Sequence, residues 1–297
     1  MNITPEFKEK VITALLEQRK NYTGSDAQFS KKWALSPAVY SRIKSGERER
    51  IVADSWWLNT GRLLNVTLHQ RAWNAARTDV FNQIEQEILF CRQYSKSMIF
   101  VDDCEIGKTF TAKYMSRTVK NCFYVDCSQC KARQQFVRSL ARVLGVDDSG
   151  RLVDVKENVK YYLSLIENPV VICDEFGDLD YGAFLELKEF WNGTEGACGW
   201  YLIGADGARA KMEHGIGRKK VGYRELLSRF SGKFSSIVPT DRNEKIAFYR
   251  KLITDVISVN TEDKTVIPTI VRRCQTSDNS GNIGGLRRAE SLLILNS

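Results

Sequence analysis

From residue 79 onward, short unbroken apolar runs alternate with stretches of helical periodicity. Residues 98–101, 122–127, 169–175 and 200–204 are compact apolar segments without polar alternation, the pattern of strands buried on both faces. Between them, apolar side chains recur at three- and four-residue spacing over 80–94, 110–119, 133–144, 161–166 and 181–191; Val80, Phe81, Ile84, Ile88 and Leu89 mark the first of these. Alternating strands and helices predict an α/β fold with a parallel sheet flanked by helices. On such sheets ligands bind beyond the carboxyl ends of the strands, so the residues that follow 101 and 173 are the ones to inspect.

The amino-terminal stretch reads differently. Residues 29–46, FSKKWALSPAVYSRIKSG, form two helical segments broken at Ala34-Leu35-Ser36. Ser36 suits an N-cap, Pro37 the first helical position and Gly46 the carboxyl-terminal cap. Phe29, Trp33, Leu35, Tyr40 and Ile43 fall on one shared apolar seam. The spacing resembles the helix-turn-helix of repressor-like DNA-binding domains, with Ala34 where the turn usually has glycine. In that arrangement the second helix enters the major groove. Ala38, Ser41, Arg42 and Lys44 would then face base edges, and Lys31, Lys32 and Arg48 would meet phosphates. Trp56, Trp57, Leu58, Leu63 and Leu64 read as the closing helix.

Charge sharpens this reading. The 297-residue chain has a net charge of +8. Residues 1–78 contain 13 Lys/Arg against 7 Asp/Glu, and residues 209–233 contain eight basic residues against Glu213 and Glu225. Two basic clusters point to a polyanionic partner, with nucleic acid the leading candidate. No apolar run reaches the length of a membrane span, and the Met1–Lys8 segment lacks the apolar centre of an export signal. The expectation is a cytoplasmic protein with no membrane partner. The eight cysteines are then expected as free thiols. Cys127 and Cys130 form a C-x-x-C, but no second pair or histidine couple completes a zinc site.

The chemistry concentrates in Asp102-Asp-Cys-Glu-Ile-Gly-Lys-Thr109, which follows the first strand and opens a helix. Strand, tight loop, Gly-Lys-Thr and helix form the architecture of a phosphate-binding P-loop. Backbone amides of Cys104, Glu105, Ile106, Gly107, Lys108, Thr109 and Phe110 are placed to hold phosphate oxygens. Lys108 would neutralise the β- and γ-phosphates and Thr109 would ligate Mg2+. Asp174 and Glu175 end a second buried strand: Asp174 would hold the ion, and Glu175 would orient or deprotonate an attacking water. ATP and Mg2+ are the implied cofactors. The loop departs from the pattern in its charge. Asp102 replaces the first glycine, and Asp103 and Glu105 add two more carboxylates where a polyanion should sit.

Together these residues resemble AAA+ ATPases, most closely the Mu B-type family of transposon target-selection helper ATPases. Residues 174–187 look like the family's segment after the Walker B strand, and 201–206 like its sensor-1 strand, with Asp206 in place of the usual polar amide. Residues 227–230 resemble the segment that delivers an arginine finger, assigned to Arg229 with Arg224 as rival. Residues 284–289 resemble the sensor-2 helix, assigned to Arg287 with Arg288 as rival. The resemblance implies domains at 1–66 (helix-turn-helix), 67–78 (linker), 79–238 (AAA+ core) and 239–297 (helical lid). It implies slow, DNA-stimulated ATP hydrolysis and assembly as a homo-oligomer or helical filament on double-stranded DNA, largely without sequence specificity. It also implies delivery of that DNA to a transposase. Lys131, Arg133, Arg218, Lys219 and Lys220 are the candidates for lining the DNA path. A non-hydrolysing nucleotide domain and a AAA+ replication initiator or loader are the alternative readings.

Overall fold

The computed structural model describes residues 3–20, 22, 24–64, 66–68, 73–275 and 283–296. The chain divides into two compact units, residues 1–72 with 117–121, and residues 73–116 with 122–297.

The first unit contains four helices: α1 (Pro5–Lys20), α2 (Asp26–Lys32), α3 (Pro37–Lys44) and α4 (Asp54–Leu63). Helix α2 starts at a reciprocal capping box in which Ser25 and Gln28 satisfy each other's backbone amides. Helix α3 starts at Ser36, whose Oγ accepts from the Val39 amide at 3.2 Å, with Pro37 in the first turn. All five seam residues, Phe29, Trp33, Leu35, Tyr40 and Ile43, are buried, joined by Val11, Ile12 and Leu15 from α1 and by Trp57. Ala34 stands at φ +53, the left-handed conformation for which a turn normally uses glycine. Helix α1 was not anticipated. Part of the linker expected at 67–78, residues 69–72, lies outside the described residues.

The second unit is built on a five-stranded parallel sheet. In chain order its elements are α5 (Asp79–Tyr94), β1 (Ser97–Val101), α6 (Lys108–Thr118), β2 (Cys122–Asp126), α7 (Arg133–Leu144), α8 (Leu152–Leu165), β3 (Val170–Asp174), α9 (Tyr181–Gly193), β4 (Gly199–Gly204), α10 (Asp206–Gly217), α11 (Tyr223–Arg229), β5 (Phe234–Ser235), α12 (Arg242–Ser258), α13 (Ile267–Gln275) and α14 (Leu286–Leu295). The strands lie in the order β2-β3-β4-β1-β5. Thr78 caps α5 by accepting from the Phe81 amide. The four strands expected from the apolar runs are all present. β3 and β4 are buried at every position, as strands covered on both faces should be. Leu89, expected in the core-facing stripe of α5, is exposed.

Helices α10 and α11 were not anticipated, and α8 and β5 differ from the sequence reading. Helix α8 begins at Leu152, well before 161. Its buried Val155, Val159 and Leu163 recur every fourth residue, but buried Lys156 lies in the same stripe and masks it. Lys156 Nζ lies 3.1 Å from Glu186 and 2.7 Å from Glu189 on α9, so paired charge replaces apolar packing there. Strand β5 is two residues long and is defined by pairing with Ile99 and Phe100 of β1, a partnership that local sequence cannot reveal. Helices α12 to α14 enclose a core of their own around Ile253, Ile257, Ile270, Cys274, Ala289 and Leu293. No helix among the described residues is long and apolar enough to cross a membrane.

Candidate functional site

Strand register brings the chemistry together. Val101 pairs with Gly204, Asp174 with Ile203, and Asp126 with Asp174, so β1, β2, β3 and β4 all end at one edge. The 102–107 loop leaves β1 at that edge, and Lys108 and Thr109 open α6. Within the loop the left-handed backbone falls on Glu105 (φ +62) and Gly107 (φ +98), not on Asp102. Glycine's freedom is therefore used at 107, and the non-glycine at 102 carries no such strain.

Lys108 is 7% exposed and folds back over the loop, donating to the carbonyls of Asp102 at 2.7 Å and Asp103 at 2.5 Å. Burial pushes its ammonium below the ordinary lysine value, while Cys104, Asp102, Glu175 and Asp174 act in the opposite direction. Asp174 is 1% exposed and accepts hydrogen bonds from the Tyr124 hydroxyl at 2.9 Å and from Thr109. Burial raises its carboxyl above the usual range despite those bonds. Exposed Glu175 follows at φ +52; partial desolvation, then the charge of Asp174, raises it as well. A non-glycine residue in left-handed backbone is the kind of strain that collects at functional sites. Lys108, Thr109, Asp174 and Glu175 thus share one site, which brings together a buried ammonium, a hydroxyl, a buried carboxylate and a second, exposed carboxylate. The donor set is hard oxygen, which suits Mg2+.

The acidic side chains of the loop are directed elsewhere. Asp102 is 6% exposed, and its Oδ2 accepts from the amides of Ile237 at 2.5 Å and Val238 at 3.0 Å. These amides belong to the segment that leaves the two-residue β5, so Asp102 satisfies donors the sheet does not. Asp103 Oδ2 accepts from the Tyr249 hydroxyl at 2.9 Å and pairs with Lys245 at 2.6 Å, both on α12. Glu105 lies 4.0 Å from Arg287, and its carbonyl accepts from the Leu286 amide at 2.9 Å. Between this loop and the C-terminal helices lies a cleft of about 740 Å³, lined by Asp103, Glu105 and Asp206 together with Arg242, Lys245 and Arg288. Asp206 is exposed in the first turn of α10. Arg288 lines the cleft, whereas the Arg287 side chain is largely in solvent.

Other expected residues lie apart. Arg229 ends α11 with its guanidinium over the Trp191 ring, 5.2 Å from the centroid. Trp191 Nε1 donates to Ser97 Oγ at 2.8 Å, which places Arg229 at the amino end of β1, the edge opposite Lys108. Lys131 pairs with Asp178 at 2.8 Å, and Arg133 pairs with Glu186. Lys220 lies 3.8 Å from the centroid of the Tyr181 ring, near the exposed Arg218 and Lys219. In the first unit, Lys31 and Ser41 are exposed. Lys32 lies against the Tyr22 ring, and desolvation pushes its ammonium down to about 8. Arg42 is paired with Glu47 and Lys44 with Asp26 at 2.5 Å. All eight cysteines are free, and Cys104 alone is exposed. Among the described residues, no cluster of His, Cys, Asp and Glu forms a closed metal site.

Sequence reasoning missed Tyr124, Lys245, Tyr249 and Arg209. Arg209 Nη2 donates to the Val101 carbonyl at 3.2 Å, where strand turns into loop. None of the four belongs to a local motif; only tertiary contact places them.

Residues 92–212, which span the loop, Asp174-Glu175 and β4, match the AAA domain family. The core has the AAA+ P-loop fold. No curated protein matches the chain at a significant level. Among solved structures, the ORC1 protein of Aeropyrum pernix in complex with DNA is similar at 15% identity and a TM-score of 0.54, covering 75% of this chain and 59% of that one. NtrX from Brucella abortus in complex with ATP aligns at 14% identity over 95% of this chain and 70% of that one, with a TM-score of 0.42. This chain thus spans about three-fifths of the ORC1 chain it resembles.

Proposed function

We propose that the AAA+ core binds MgATP at the 102–109 loop, hydrolyses it slowly, and couples the nucleotide state to association with double-stranded DNA. One observation carries the reading: Lys108, Thr109 and Asp174 meet at the carboxyl edge of the sheet, with Thr109 bonded to Asp174. When bound, Mg2+ would supply positive charge that offsets the charge of the polyphosphate. Lys108 would hold the phosphates, Thr109 and Asp174 would hold the ion, and Glu175 would take a proton from the attacking water. The acidic loop leaves room for this: the Asp102 carboxylate is turned onto the Ile237 and Val238 amides, and the Asp103 carboxylate is paired on α12.

DNA association is supported by the basic first unit, by the 218–220 loop beside Tyr181, and by the DNA complex of the structurally similar ORC1 protein. A role in transposition, with assembly as a filament on target DNA and a transposase as partner, is the finer proposal and rests on the motif resemblance. Replication initiation is the second reading, favoured by the ORC1 likeness; identification of the protein that co-purifies on DNA separates the two.

The decisive experiment is phosphate release with and without duplex DNA, alongside electron microscopy of protein, MgATP and DNA. Lys108→Ala is expected to abolish turnover and the ATP dependence of DNA binding. Unchanged values in that variant would overturn the site assignment. MgATP is also expected to slow alkylation of Cys104, the exposed thiol of the same loop.

A further inference from the structure

The contacts of the acidic loop extend the nucleotide reading, on which the following rests. We infer that Asp103 and Glu105 act as a built-in anion: they hold the cationic C-terminal helices α12 and α14 on the loop, and they compete with an incoming polyphosphate for those cations.

Three groups of contacts converge on six residues of loop. Asp102 anchors the chain entering α12 through the Ile237 and Val238 amides. Asp103 binds α12 itself through Lys245 and Tyr249. Glu105 meets the start of α14 through Arg287 and, by its carbonyl, the Leu286 amide. The last approach is so close that a Cβ on Gly285 would stand 2.5 Å from Glu105 Cβ and 2.9 Å from its carbonyl oxygen. Glycine is therefore required at 285 for α14 to reach the loop. Lys108 makes the same kind of substitution within the loop, spending its ammonium on the carbonyls of Asp102 and Asp103.

A polyphosphate entering this site meets two carboxylates on the loop and a set of cations on the helices beyond them. Lys245 and Arg288 line the cleft, and Lys245 is already paired with Asp103. Like charges at this range repel, and each cation shared between carboxylate and phosphate weakens both contacts. The carboxylates thus set two quantities in opposite directions. They tighten the helices in the empty protein and loosen its grip on nucleotide.

The test measures both on the full chain. Amide hydrogen exchange over α12 and α14 is recorded without nucleotide, and MgATP affinity is measured by titration, for wild type, Asp103→Asn and Glu105→Gln. Each variant is expected to exchange faster across α12 or α14 and to bind MgATP roughly three- to tenfold more tightly. Lys245→Gln, which removes the same contact from the helix side, is expected to exchange faster without tighter binding. Faster exchange with unchanged or weaker MgATP binding would make the carboxylates merely structural and overturn the competition. Tighter binding with unchanged exchange would reduce them to simple repulsion and overturn the holding role. If wild type and variants alike fail to bind MgATP, the nucleotide reading itself falls, while the exchange data still decide whether the carboxylates hold the helices.

Discussion

Asp174 is a carboxyl whose burial works against its own charge. Its folded value is raised, so between the ordinary aspartate range and that raised value the unfolded chain has released a proton that the folded chain keeps. The empty fold therefore loses stability as pH rises through that window. Asp174→Asn is expected to flatten this dependence and to raise the melting temperature of the nucleotide-free protein at neutral pH by about 2 °C or more, while abolishing Mg2+-dependent turnover. Differential scanning fluorimetry from the ordinary aspartate range up to neutral pH checks the first half; a lowered melting temperature would refute it. Ala34 offers a simpler case. Its φ of +53 imposes a left-handed cost that glycine avoids, and the looser unfolded chain only partly offsets the gain. Ala34→Gly is expected to stabilise the protein by about 0.5–1 kcal/mol in urea unfolding.

At the scale of elements, most of the sheet was legible. Residues 98–101 and 200–204 read as strands because nothing polar interrupts them, and 133–144 matches α7 at both ends. Two of the misses share a cause, a long-range partner: α8 hides its stripe behind Lys156 and β5 exists only against β1. The Lys156 contact also makes a prediction. With its side chain 9% exposed between Glu186 and Glu189, its loss strands buried carboxylate. Lys156→Ala is expected to cost on the order of 3 kcal/mol by denaturant unfolding, and Lys156→Met with Glu186→Leu should recover much of that loss.

For the whole molecule, the placement of Arg229 bears on how the proposed hydrolysis would be organised. It lies at the amino end of β1 and Lys108 beyond the carboxyl end, about 15 Å of strand away. Under the proposed function, an arginine so placed serves a neighbouring copy's nucleotide. Mixing Arg229→Ala with Lys108→Ala, each inactive alone, is expected to restore turnover well above the sum of the two; no recovery would argue against a role in trans. DNA binding is expected to weaken with salt in proportion to the phosphates neutralised, and Lys31→Ala or Lys219→Ala should each reduce the slope of log affinity against log salt by about 1.

The sequence by itself determined the alternating α/β core, the 102–109 loop and the paired carboxylates at 174–175, because apolar periodicity and a Gly-Lys-Thr turn are local properties of the chain. It could not say where the loop's acidic side chains point. Tertiary structure decided that, because the amides of 237–238, the α12 cations and the start of α14 come from segments more than a hundred residues away. A carboxylate's effect on a bound anion depends on what already neutralises it, and that is a property of the folded neighbourhood.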